Sequence, residues 1–115
     1  MKTVTMGLSD RTQVKDRFKA AMAGQDAGNF ISFENPGLMF KTMTLKRWDI
    51  LETLTGKDPV SIRETARLVG RDVKAVHSDI TALLNVGILE KVDQKISFPF
   101  DRIHVDFVVE AHQTG

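Results

Sequence analysis

The stretch that most constrains this chain runs from Ser61 to Lys91, SIRETARLVGRDVKAVHSDITALLNVGILEK. Its helix boundaries leave little freedom. Ser61 and Glu64 have the spacing of a capping box, in which the serine caps the Glu64 N–H and the glutamate reaches back to the N–H of Ser61. Behind it Ile62, Thr65, Ala66 and Val69 recur at helical spacing, with Leu68 beside them. Gly70 stops this helix and permits a sharp change of direction. Asp72 suits the N-cap of a second helix, along which Val73, Val76, Ile80, Leu83 and Leu84 fall at three- and four-residue steps. Asn85 and Gly87 break it. Two helices joined by a short Gly-containing turn are the sequence form of a helix-turn-helix.

The apolar stripe of the second helix leaves a polar face: Arg71, Lys74, Ala75, Ser78, Thr81 or Ala82, and Asn85. A recognition helix meets base edges with its N-terminal residues. Arg and Lys pair with guanine, Ser with several bases, and Ala touches a thymine methyl. The competing reading is a solvated face on a helix pair used for protein contacts, since function resides in the site and not in the fold. His77, between the polar face and the core side, reads as a helix–helix packing residue.

A hairpin follows directly. Ile88 to Val92 and Lys95 to Phe98 read as its strands, and Asp93-Gln94 as its tip, although this is not a favoured hairpin pair. A two-stranded hairpin after a recognition helix is a wing, and Lys91 and Lys95 near its tip suit phosphate contacts or a minor-groove approach. Net charge is only +1, so the distribution matters more than the sum. Arg63, Arg67, Arg71, Lys74, Lys91 and Lys95 all lie in this segment, whereas Asp101, Asp106 and Glu110 outweigh Arg102 beyond Ile96. The DNA-contacting set expected from these arguments is Arg63, Arg67, Arg71, Lys74, Ala75, Ser78, Lys91 and Lys95. Near-neutral charge predicts weak non-specific DNA binding at physiological salt, and dimerisation would double the contacts.

The rest of the chain supports that segment. Met1 to Leu8 is expected to be loose. A helix from Ser9 or Asp10 to about Ala23 carries Val14, Phe18, Ala21 and Met22 on one face and is followed by a Gly-containing spacer. It has to pack on the core or on a second subunit; its basic residues offer a DNA arm as the weaker option. Phe30 to Phe33 reads as a short strand. Asn35 caps, and Pro36 opens, a short helix with Leu38, Met39, Phe40 and Met43 as core. Thr44 caps the next helix, whose buried side is Leu45, Trp48, Leu51 and Leu54, widened by Ile50, with Asp49 and Glu52 in water. Trp48 reads as core or interface packing. Arg102 to Glu110 alternates: Ile103, Val105, Phe107 and Val109 point one way. This half-buried strand needs a neighbour, either the Phe30–Phe33 segment or a partner chain. His112 to Gly115 is expected to fray.

Residues 1–29 are therefore read as an N-terminal helix and spacer, 30–111 as the winged domain with its C-terminal strand, and 112–115 as a tail. The fold class is α+β: a winged helix-turn-helix with an extra N-terminal helix and a C-terminal β-strand. Hydrophobic residues form 42% of the 115-residue chain, enough for one domain with a modest core. There is no cysteine, which removes disulfides and thiolate metal sites and fits a reducing cytoplasm. No apolar run reads as a signal peptide or membrane span. His77, His104 and His112 make no metal site, since a third ligand for the His104–Asp106 pair is missing. No phosphate loop or nucleophile elbow is present, so no enzyme and no cofactor is expected.

The segments SFENPGLMFKTMTLKRWDILETL, SIRETARLVGRDVKAVHSDITALLNVGILEK and FPFDRIHVDFVV together resemble a family of predicted winged helix-turn-helix transcriptional regulators of bacteria and archaea, loosely related to the MarR group. The resemblance covers about Ile31 to Val109. It implies a DNA-binding regulator, and the Arg71, Lys74 and Ser78 face with the basic wing leads to the expectation of a homodimeric repressor binding double-stranded DNA. Several relatives look like antitoxins of type II toxin–antitoxin pairs that repress their own operon, which would add a cognate toxin as partner. By position, the recognition helix maps onto Asp72 to Leu84 and the wing onto Val92 to Ile96. Where the family pattern carries a basic residue this chain has Ser78, which lowers the charge of that face. The alternative is a winged helix used only for protein–protein assembly.

Overall fold

The computed structural model describes residues 2–8 and 29–106. The helix expected from Ser9 or Asp10 to Ala23, the strand continuation from Phe107 and the tail from His112 lie outside these residues. The fold is α+β, with four helices and five strands among the described residues. In chain order these are β1 (Thr3–Leu8), β2 (Asn29–Phe33), α1 (Pro36–Thr42), α2 (Leu45–Leu54), α3 (Ile62–Val69), α4 (Val73–Val86), β3 (Glu90–Val92), β4 (Lys95–Ser97) and β5 (Arg102–Asp106).

The first correction concerns the N-terminus. Residues 3–8, expected to be loose, form the central strand of a three-stranded parallel sheet of order β2-β1-β5. The alternation Val4, Met6, Leu8 supplies an apolar face, all three residues are buried, and register sets them beside Ile31, Phe33 and Ile103. Within the chain the partner of β5 is therefore β1, and β2 lies on the far side of β1. The N-terminus is tied down where β5 begins. Lys2 N donates to Asp101 Oδ2 at 2.8 Å, Asp101 N returns a bond to Lys2 O at 2.7 Å, and the Lys2 ammonium lies 5.2 Å from the Phe100 ring centre.

One core cluster joins sheet and helices. Met39 and Met43 enter it from α1 and its C-cap; Ile50, Leu51 and Leu54 enter from α2, Val76, Ile80 and Leu83 from α4, and Ile88, Leu89, Ile96, Phe98 and Phe100 from the chain that follows. Trp48 packs against the cluster, half-buried. Two sequence expectations fail at its edge. Leu38 and Phe40 are exposed, because a helix as short as α1 buries one i, i+4 stripe, and Met39 and Met43 occupy it. Leu45 is 86% exposed: it is the first residue of α2, and the buried stripe begins one turn later at Trp48.

Between α3 and α4 the chain turns as the sequence indicates. Ser61 Oγ accepts from Glu64 N, and Asp72 accepts from the N–H groups of Lys74 and Ala75. Gly70 closes α3 in the left-handed region at φ +69°, with Arg71 N donating to Ala66 O and Gly70 N to Arg67 O. Gly87 closes α4 in the same way, using Leu83 O and Leu84 O. Both are Schellman turns. The β3–β4 hairpin is shorter than expected at both ends, because Ile88 and Leu89 are drawn into the core. Reciprocal backbone bonds between Val60 and Ile96, at 3.0 and 2.8 Å, anchor the hairpin beside the entry to α3.

Candidate nucleic-acid interface

The buried stripe of α4 fixes which side of the helix faces water. Val76, Ile80 and Leu83 are fully buried, so at 100° per residue Lys74, Ser78, Thr81 and Asn85 form the opposite stripe, with Ala75 on one flank and His77 on the other. All six are exposed. His77, expected to pack between helices, is in water, since its ring falls on the solvent side of Leu84. Val73, assigned to the core stripe from its spacing, is 42% exposed at the first helical position. Thr81 Oγ1 donates to the His77 carbonyl at 2.8 Å, which engages its hydroxyl proton.

Arg71 departs from expectation. Expected on the exposed face, it is turned inward: its side chain is 19% exposed and Nη2 donates to Asp79 Oδ2 at 2.8 Å. Arg47 approaches the same carboxylate from α2, donating from Nε to Oδ1 at 3.0 Å and from Nη1 to the Thr42 carbonyl at 2.7 Å. Asp79 thus joins the end of α1, the start of α2, the α3–α4 turn and the body of α4. Burial pushes its carboxyl pKa up, but the hydrogen bonds and charges of Arg71 and Arg47 outweigh this and hold it below the ordinary carboxylate value. Arg71 Nη1 is buried and has no hydrogen-bond partner among the described residues. Arg71 is therefore a residue of the scaffold.

The remaining expected residues lie on α3 and on the hairpin. Arg63 and Arg67 are exposed on α3. The Arg67 guanidinium holds the Glu64 carboxylate through Nε and Nη2. The pairing lowers the Glu64 pKa, through the hydrogen bond first, and raises that of Arg67. The second half of the expected capping box is thus displaced, because the glutamate turns to Arg67. Lys91 and Lys95 are exposed on the hairpin, but not side by side. Register sets Lys91 opposite Ile96 and Lys95 opposite Val92, so the two lysines leave opposite faces of the ribbon. Asp93 at the tip adopts φ +58°, and Glu90 and Asp93 balance the two lysines in charge.

Arg47 and Asp79 were not read from the sequence as site-forming residues. The available signal was Asp79 on the flank of α4, eight positions after Arg71, with no cap or helix terminus to occupy it. His104 and Asp106 lie exposed on the outer face of β5, beside Thr5 and Gly7 of β1. Among the described residues no group of three or more His, Asp or Glu side chains could hold a metal ion, and no helix is long and apolar enough to cross a membrane.

A family model designated HVO_A0114 matches residues 42–105, more than half of the chain. The match takes in α2, α3, α4, the hairpin and nearly all of β5, and so the whole candidate interface. No curated protein and no solved structure matches the chain.

Proposed function

The chain belongs to the HVO_A0114 family, and from that premise we propose that it is a sequence-specific DNA-binding transcriptional regulator of winged helix-turn-helix type. In this reading α3 and α4 are the helix pair, α4 is the recognition helix and the β3–β4 hairpin is the wing. The observation that carries it is the exposed N-terminal half of α4. Lys74, Ala75 and Ser78 stand in water on a helix whose opposite side is locked into the core. A rigid helix start presenting short and basic side chains is what reading base edges requires. Arg63 and Arg67 of α3 and Lys91 and Lys95 of the hairpin supply phosphate contacts around it, which set register and orientation.

The protein acts in the cytoplasm as a homodimeric repressor without catalytic activity, and kinship with MarR-like regulators is part of the same reading. Dimerisation matters because a chain of net charge +1 neutralises few phosphates alone. A role as antitoxin adds a cognate toxin as partner, tested by co-expression with the neighbouring gene product. A second reading, assembly with another protein and no DNA, is favoured by the hairpin, where Glu90 and Asp93 cancel Lys91 and Lys95.

Fluorescence anisotropy separates the two. The full chain is titrated into the duplex upstream of its own gene and into a scrambled duplex, at two salt concentrations. Tight binding to the native duplex that weakens with salt supports the regulator, and its slope estimates the number of phosphates contacted. Equal and weak binding to both duplexes places protein assembly first.

A further inference from the structure

The side chains at the exposed start of α4 are mostly not those that grip guanine. A bidentate arginine is the commonest reader of guanine, and Arg71 is the arginine the sequence places there. Its guanidinium is instead bound to Asp79 at 2.8 Å, with Nη1 buried. Asn85, whose amide could grip adenine, sits in the last turn of α4, away from the N-terminal half. What α4 does show on its exposed face ahead of Asn85 is Lys74, Ser78 and two methyl surfaces, one in the first turn and one at mid-length. One is Ala75. The other is Thr81, whose hydroxyl is held by the His77 carbonyl at 2.8 Å.

Resting on the DNA-binding reading above, we infer that α4 recognises thymine methyl groups in the major groove, through Ala75 and the methyl of Thr81. The thymine C5-methyl is the one apolar group that a base edge presents there, and both side chains offer a short apolar surface to it. Ser78, between them on the exposed face, donates or accepts at several bases and tolerates its neighbours' choice. Lys74 serves the phosphates or a flanking base. The target class is thus a duplex whose α4-facing steps carry thymine, with specificity set by contact with methyl groups rather than by an arginine fork.

The test starts from selection of a random duplex pool by the full-length chain. Each thymine of the enriched site is then replaced singly by deoxyuridine, which keeps pairing and phosphates and removes only the methyl. Loss of a contacted methyl weakens binding about fourfold, the effect of exposing one methylene-sized group. Thr81→Ser keeps the hydroxyl bond and removes the side-chain methyl, and Ala75→Gly removes the other; each abolishes the deoxyuridine effect at its own position. An enriched site at which every deoxyuridine substitution binds unchanged overturns the methyl reading and leaves DNA binding intact. Failure to enrich any site overturns DNA binding itself, and the methyl reading with it.

Discussion

Arg71 and Asp79 close a side-chain bridge from the α3–α4 turn to the middle of α4, Nη2 to Oδ2 at 2.8 Å, and Arg47 completes the carboxylate from the other side at 3.0 Å. Removing the carboxylate leaves two largely buried guanidinium groups facing each other. Asp79→Ala therefore lowers stability by about 3 kcal/mol, the low end for breaking a buried pair because the site keeps some solvent. Urea unfolding checks it: the midpoint falls while the slope is unchanged. A loss well under 1 kcal/mol would mean that the arginines find other acceptors.

The same bridge gives stability a pH dependence of definite sign. The Asp79 pKa is lower folded than unfolded, so its contribution is complete above the unfolded carboxyl value of about 4. It is lost as pH falls through the depressed folded value. Asp79→Asn lacks this titration. The stability gap between wild type and Asp79→Asn is full at neutral pH and narrows as pH falls below the unfolded carboxyl value; urea melts at about pH 7 and at about pH 3 read that narrowing. A gap that stayed constant would assign the bridge no charge component.

What the sequence revealed and what it hid have physical reasons. The caps at Ser61, Asp72 and Thr44 and the Schellman turns at Gly70 and Gly87 were legible because each depends on residues a few positions apart. β1 was not, because a six-residue strand is stabilised by its neighbours, and those neighbours begin at Asn29 and Arg102. The site divides in the same way. Exposure of Lys74, Ala75 and Ser78 follows from helical period alone. The inward turn of Arg71 depends on Asp79 and on Arg47 from another helix, and no local pattern announces it.

Since β1 is the middle of the sheet, its side chains carry stability that a loose end would not. Met6 is fully buried between β2 and β5. Met6→Ala should lower stability by about 2–5 kcal/mol. Leu45→Ser is the control: at 86% exposed it should change stability by no more than about 0.5 kcal/mol. Thermal or urea melts of the two variants side by side decide it, and equal, small effects would return β1 to the status of an unpaired end.

At Gly70 the constraint is the backbone alone. Its φ is +69°, and a Cβ built there meets nothing within 4 Å. Gly70→Ala then carries only the left-handed penalty of about 1–2 kcal/mol, with no clash added. Gly70→Asn recovers part of it, because asparagine tolerates that region. An alanine variant as stable as wild type would show that the α3–α4 turn can relax to a conformation without positive φ.

Lys74 and Arg71, three residues apart, separate binding from folding. Lys74 is exposed at the second position of α4, so Lys74→Ala leaves the melting curve within about 0.5 kcal/mol of wild type. In the DNA reading it also lowers the slope of log affinity against log salt by about one, if its ammonium meets a phosphate. Arg71→Ala acts in the opposite order. It strands Asp79 with a single arginine and destabilises the fold, while the salt slope of the protein that remains folded stays that of wild type. Anisotropy at several salt concentrations, paired with urea melts of the same preparations, reads both quantities. If Arg71→Ala reduced the slope and spared stability, the guanidinium would leave Asp79 when DNA binds, and the bridge would be a resting state of the interface rather than part of its frame.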